Sequence, residues 1–186
     1  MGKLIYSLNV SLDGFAASAD GGLAWAVVDD ELHGWFNEQT RQIQASLYGR
    51  RMYQLMAGYW PGAEDDPAAT DVEREFSRIW RAMPKIVFST SLDHVDHNAR
   101  LVRGDVATIL TEVRREFDGD IDIGGPDLAG QFVRRGLVDE YQLVVHPVVL
   151  GSGIPFWPEL DRPLSLRLSD SRTFSSGAQL RSYVPA

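Results

Sequence analysis

Short runs rich in Val, Ile and Leu alternate along this chain with segments whose apolar residues recur at helical spacing, and Gly, Pro or Asp stands at most of the junctions. Strands that alternate with helices pair in parallel and need a helix layer on each face, so the pattern predicts an α/β protein with a mostly parallel sheet. An opening strand is expected over Leu4 to Leu12, closed by the turn pair Asp13-Gly14. Residues 16 to 22 are small and polar and are expected as a mobile loop. Asp29 and Asp30 stand where a helix cap belongs, ahead of a helix over about 30 to 44. A short strand at Ala45 to Tyr48 leads into a second helical stretch beginning at Gly49, and residues 61 to 71 are expected as a loop. A helix through Phe76, Ile79, Trp80 and Met83 then stops at Pro84, and Lys85 to Ser89 is β-branched strand.

The second half repeats the alternation. Ala99 to Val102 is a short strand candidate, Val106 to Phe117 a helix, Ile121 to Ile123 a strand, and Leu128 to Arg135 a helix with Gly136 as its left-handed cap. Val138 to Leu150 is expected as one long strand. Leu164 to Phe174 and Ala178 to Val184, around Ser176-Gly177, predict a closing hairpin that gives the sheet an antiparallel edge.

Composition narrows the function. At 186 residues, with 44% hydrophobic and 24% charged residues, the chain has the size and apolar mass of one folded domain. A net charge of -8 argues against unaided binding to nucleic acid or an anionic membrane. Without cysteine there is no thiolate chemistry and no zinc thiolate site. Asp93-His-Val-Asp-His97 pairs two histidines with no third ligand at metal spacing, so no metal site is expected. The first residues carry too short an apolar run for a signal peptide, and no segment approaches the length of a membrane span, so a cytoplasmic protein is expected.

In a sheet of this kind ligands bind beyond the carboxyl ends of the strands. Three such ends carry suitable chemistry. Gly124-Gly125-Pro126-Asp127 combines a bare backbone with a helix N-terminus, the arrangement of an anion site and equally of a plain β-to-α turn. Gly49-Arg50-Arg51-Met52 brings guanidinium groups to a second helix start, either for phosphate or as a solvated turn. Ser89-Thr90-Ser91 offers hydroxyls that bind a phosphate oxygen or shape a turn. Together the three describe an extended phosphate groove. Neither G-x-G-x-x-G nor the P-loop pattern occurs.

Taken in order, Ser11-Leu-Asp-Gly14, Gly49-Arg-Arg-Met-Tyr53, Lys85-Ile-Val-Phe-Ser89, Gly124-Gly-Pro-Asp-Leu128, Gly136-Leu-Val-Asp-Glu140 and His146-Pro-Val-Val-Leu-Gly-Ser-Gly153 resemble the dihydrofolate reductase-like superfamily. The resemblance is closest to the branch holding the C-terminal reductase domain of the bifunctional riboflavin-biosynthesis deaminase/reductase. It implies a three-layer fold, NADPH as cofactor, a homodimer, and a cis peptide between Gly124 and Gly125. It also implies that Gly124, Gly125, Pro126, Asp127 and Leu128 lie along the pyrophosphate and nicotinamide. Gly49, Arg50, Arg51 and Met52 would hold phosphates at a helix start, Ser89 and Thr90 the adenosine 2'-phosphate, and Ala16 would touch the nicotinamide ring.

On the substrate side the resemblance implies that Trp25, Asp30 and Phe36 line the pocket. Asp30 would be the catalytic carboxylate facing an amidine-like edge of the substrate, although a helix cap explains the same residue. Val145 takes a place where folate reductases commonly carry Thr, and the spacing from Trp25 to Trp35-Phe36 is two residues longer. The expected activity is therefore NADPH-dependent hydride transfer to a C=N or C=O group of a small pteridine- or aminopyrimidine-like heterocycle. The alternative is a non-catalytic NADP(H)-binding sensor or assembly module on the same fold.

Overall fold

The computed structural model describes residues 2–186. In chain order the elements are β1 (Leu4–Ser11), β2 (Phe15–Ala17), α1 (Asp30–Gln42), β3 (Ile43–Gly49), α2 (Arg50–Ala63), α3 (Asp71–Ala82), β4 (Lys85–Phe88), β5 (Ala99–Val102), α4 (Val106–Glu116), β6 (Asp120–Gly124), α5 (Pro126–Arg134), β7 (Glu140–His146), β8 (Ile154–Pro155), β9 (Leu166–Thr173) and β10 (Gln179–Pro185). Eight strands form one sheet in the order β5-β4-β3-β6-β1-β7-β10-β9. Pairing is parallel from β5 across to β7, and antiparallel where β10 joins β7 and β9.

The two faces are covered by different helices. α1 and α2 each pack on α3, and Tyr48, Tyr53, Phe76, Trp80 and Val87 form the core at α2 and α3. α4 packs on α5 over the other face, where Ile109, Leu110, Val113, Phe132 and Val133 join Leu4, Tyr6, Leu47 and Ile121. Tyr6 stacks on Phe156 with ring centroids 4.1 Å apart and donates its hydroxyl to the Phe156 carbonyl at 3.0 Å. Lys85 opens β4 only 1% exposed. Its ammonium donates to the carbonyls of Met83 and His97, each at 2.7 Å, and sits 4.1 Å over the Trp80 ring. Three carbonyl-rich or aromatic surfaces thus replace the water that a buried charge loses.

Four expectations are corrected. The long strand expected to reach Leu150 ends at His146, because Pro147 lacks an N–H and the chain turns away. The segment expected as a mobile loop contains β2, in which Ala16 and Ala17 are buried, paired antiparallel with β8. Strands of two or three residues have no period to read. α2 runs on through Pro61, tolerated in the last turn of the helix. β4 stops at Phe88, leaving Ser89 in the following turn.

Asp122 is an unsatisfied acid within the sheet. It stands opposite Ser46 in the β3–β6 ladder, and its Oδ1 is enclosed without a hydrogen-bond partner, although the residue as a whole keeps some exposure. Burial pushes its carboxyl up to about 6, against the weaker opposing effect of Ser46. The folded protein thus holds this proton more tightly than the unfolded chain, and the associated stability is lost as pH rises through about 6. Wild-type stability in urea is therefore expected to fall between pH 4 and 7 at this group. Asp122→Asn should remove that slope and gain about 2 kcal/mol at pH 7; a variant no more stable than wild type at pH 7 would contradict the assignment.

Candidate active site

β3 and β6 are neighbours in the sheet, yet the chain leaves them toward opposite faces, into α2 from β3 and into α5 from β6. Divergent exits from adjacent parallel strands open a crevice at their carboxyl ends. A cleft of about 500 Å³ lies there, within the usual range for small-molecule sites. One wall is Gly49, Arg50, Arg51 and Met52, and the other is Gly124, Gly125, Pro126, Asp127 and Leu128. Leu8, Asn9, Ala16, Leu23 and Ile154 complete it on the β1 side.

Helix capping sets these two walls apart. Asp29, Thr70 and Asp105 cap α1, α3 and α4 with side-chain acceptors. α2 and α5 begin after Gly49 and Gly125 and have no side-chain cap. Their first N–H groups therefore remain free, and both helix starts border the cleft. In a chain of net charge -8, these two helix starts and the arginines beside them contribute positive charge to the crevice.

The glycines have a packing reason. A Cβ on Gly124 would stand 2.5 Å from the Tyr48 ring, so the bare Cα admits the aromatic that ends the core under α2. Gly125 has φ 96° and ψ 132°, a conformation that side chains resist, and Pro126 then starts α5. This backbone also corrects the expected cis peptide. There are no cis peptide bonds among the described residues, and the turn into α5 is made by the positive φ of Gly125.

The arginines are held in reserve by weak partners. Arg50 donates to the Ser91 hydroxyl at 2.9 Å, and Arg51 lies 3.3 Å from the Asp127 carboxylate with both side chains 77% exposed. Exposed pairs of this kind contribute about 1 kcal/mol or less, so an incoming anion competes easily. Ser89 and Thr90 do not line the cleft; the Ser89 hydroxyl accepts from the amides of Ser91 and Leu92 and shapes the turn. The hydroxyl that meets the guanidinium is that of Ser91, the third residue of the Ser89-Thr90-Ser91 run, rather than Ser89 or Thr90 to which the resemblance assigns the 2'-phosphate.

The roof of the cleft is tied down by the Ser11-Leu-Asp-Gly14 motif. Ser11 donates to Asp13 at 2.6 Å and accepts from the Phe15 amide at 3.0 Å. Asp13 also accepts from the amides of Leu150 and Gly151 at 3.1 and 2.8 Å. The Ser11 hydroxyl and these amides hold its carboxyl below the usual range. Loops after β1 and β7 are thereby joined, which positions β2, β8 and Ala16.

The residues expected at the substrate side are dispersed. Trp25, Asp30, Phe36 and Val145 do not line the cleft. Asp30 is exposed in the first turn of α1, whereas Asp29 is the actual cap, accepting from Leu32 at 2.9 Å. Phe36 packs with Trp35 on the Leu32, Val144 and Phe174 cluster. Val145 packs against the main core on the opposite face of β7. Trp25 sets its edge against the His146 ring at 5.7 Å, and His146 in turn bonds Asn9. Asn9 is missed by sequence reasoning, since a strand Asn carries no spacing signal, and His146 enters there only as the start of a motif, with no role attached.

A profile of the family described as the RibD C-terminal domain matches residues 2–180. The chain belongs to that family. It is 33% identical to the uncharacterized protein YyaP of Bacillus subtilis (strain 168), over 94% of this chain and 90% of that protein. Its fold is dihydrofolate reductase-like. The diaminohydroxyphosphoribosylaminopyrimidine deaminase/5-amino-6-(5-phosphoribosylamino)uracil reductase of Thermotoga maritima superposes with a TM-score of 0.70 at 16% identity, covering all of this chain and 57% of that one. Dihydrofolate reductase of Enterococcus faecalis, solved with NADP(H), superposes with a TM-score of 0.65 at 16% identity, over 99% and 96% of the two chains.

The packing account makes position 124 a sensitive one. Gly124→Ala is expected to lower unfolding stability by about 2 kcal/mol through overpacking, and Tyr48→Leu in the same chain should recover part of the loss. Equal stability of Gly124→Ala and wild type in urea would remove Tyr48 as the reason for the glycine.

Proposed function

We propose that the chain acts as one reductase domain that binds NADPH in the cleft and delivers hydride to a C=N or C=O group of a small heterocycle. The observation that carries this reading is the pair of uncapped helix starts, α2 and α5, facing one another across a cleft that also carries Arg50 and Arg51. Free N–H groups on two sides suit the oxygens of a pyrophosphate, and each helix start favours an anion by up to about 1 kcal/mol. Family membership and the NADP(H) of the Enterococcus enzyme support the same assignment. Lining residues of the cleft are largely small or apolar, which suits the close approach of a flat ring.

When bound, the reduced nicotinamide supplies the hydride. The protein's own work is orientation. Gly49, Met52 and Gly124 to Leu128 hold the pyrophosphate end, and Arg50 with Ser91 and the turn of Ser89 and Thr90 face the adenosine phosphate. Ala16, fixed by β2 pairing, forms a wall for the ring and keeps water from it. Asp30, exposed at the start of α1, supplies the proton directly or through water. Trp25 and Phe36 do not line the cleft and act only from behind it, Trp25 through His146 and Phe36 through the Leu32 cluster.

The arginine assignment is tested by titrating NADPH and NADH against the fluorescence of the five tryptophans. Arg50→Ala is expected to weaken NADPH about ten-fold, the loss of one charge-assisted hydrogen bond, and to change NADH less. Unchanged NADPH affinity would sink the cofactor reading. Asp30→Asn should leave NADPH affinity intact and reduce turnover about a hundred-fold if the carboxylate is the proton source.

A further inference from the structure

We infer that Asn9 receives the substrate through its Nδ2 donor, and that the substrate is an unphosphorylated heterocycle presenting a ring nitrogen or carbonyl oxygen to it. This rests on the reductase reading above and adds to it the chemical class of the second ligand.

The orientation of Asn9 is decided beneath the cleft. β1 turns Asn9 toward the same sheet face as His146, and its Oδ1 lies 2.8 Å from the His146 Nε2. His146 is 2% exposed and burial holds its imidazole below its ordinary value, so the ring is neutral. A neutral ring with Nε2 protonated donates to Oδ1. That bond occupies the acceptor of the amide and leaves the Nδ2 protons for the cleft, which Asn9 lines. No hydrogen bond from Nδ2 is made among the described residues. Trp25 braces the imidazole edge-on, and its own Nε1 donates to the Gly22 carbonyl at 3.1 Å. The donor is therefore fixed through a chain of three side chains, and it selects for a lone pair.

The charge distribution disfavours a phosphate near the donor. Arg50 and Arg51 are the cations among the described residues lining the cleft, and both leave from the end of β3. β6 lies between β3 and β1, which puts their starting points about 10 Å from the Asn9 strand. Arg50 is bound to Ser91 beyond β4, on the far side of β3, and Arg51 is paired with Asp127. Around Asn9 the cleft presents Ala16, Ala17, Leu23 and Ile154. A phosphate there would lose its water without a partner, a cost of several kcal/mol for an uncompensated ion.

The decisive comparison uses 5-amino-6-(ribosylamino)uracil and its 5'-phosphate as probes. Each is titrated into the full chain, with and without saturating NADP+, and followed by tryptophan fluorescence. The unphosphorylated compound is expected to bind about ten-fold tighter or better. Asn9→Leu should weaken it about ten-fold and raise KM rather than lower kcat, with NADP+ affinity changed less than about two-fold. His146→Leu should reproduce the loss by freeing the amide, and His146→Gln, which still donates to Oδ1, should restore binding to within about three-fold. Circular dichroism of each variant separates misfolding from loss of the donor. Tighter binding of the phosphate, binding of neither compound, or an Asn9→Leu chain that binds as well as wild type would overturn the inference. Failure of NADP+ to bind wild type would instead overturn the cofactor reading, with the NADP+-free titrations still deciding this one.

Discussion

The contact between the Tyr48 ring and the bare Cα of Gly124 is the constraint on which the site depends. It lets β3 and β6 stay paired as far as Tyr48 and Gly124, where the chain departs from them in opposite directions. Both helices that leave this point begin at glycines without side-chain caps, so the same local economy of atoms that admits the tyrosine also leaves backbone donors free. A larger residue at 124 would part the strands and separate the two helix starts.

A second constraint comes from the far side of β1. Ser11 and Asp13 bind amides from two loops, and these loops carry the short β2–β8 ladder that brings Ala16 and Ala17 over the crevice. The cleft therefore has a rigid floor of parallel strands and a roof tied by charge-assisted bonds to backbone amides. The negative net charge acts on the cleft mainly through distant, screened carboxylates, and the one carboxylate in its wall, Asp127, is paired with Arg51.

Much of the fold was legible before any coordinates. The helix over Val106 to Glu116 follows from the period of its buried residues, the strand at Lys85 from a short β-branched run after Pro84, and the closing hairpin from the Ser176-Gly177 turn between two strand-like runs. The residues of Gly49 to Met52 and Gly124 to Leu128 stood out because glycine before a helix is a local signal. Ala16 to Gly22 misleads, because a three-residue strand is made by its pairing with Ile154 and Pro155, far along the chain, rather than by its own composition. The Ser89-Thr90-Ser91 run is legible as hydroxyls at a strand end, but which of them faces Arg50 is not: the turn consumes Ser89 and leaves Ser91 to meet the guanidinium.

The amino-acid sequence by itself determined the alternation of strands and helices, the placement of glycines at two strand ends, the family and the absence of cysteine chemistry. These follow from local preference and from burial patterns written along the chain. Only the tertiary structure decided that Gly124 is bare for Tyr48, that its peptide to Gly125 is trans, and that Asn9 is oriented by a buried His146. The first and last of these are contacts between residues far apart in sequence, whose energy depends on direction and on the exclusion of water, and the peptide conformation is set by the packing around it; residue order records none of this.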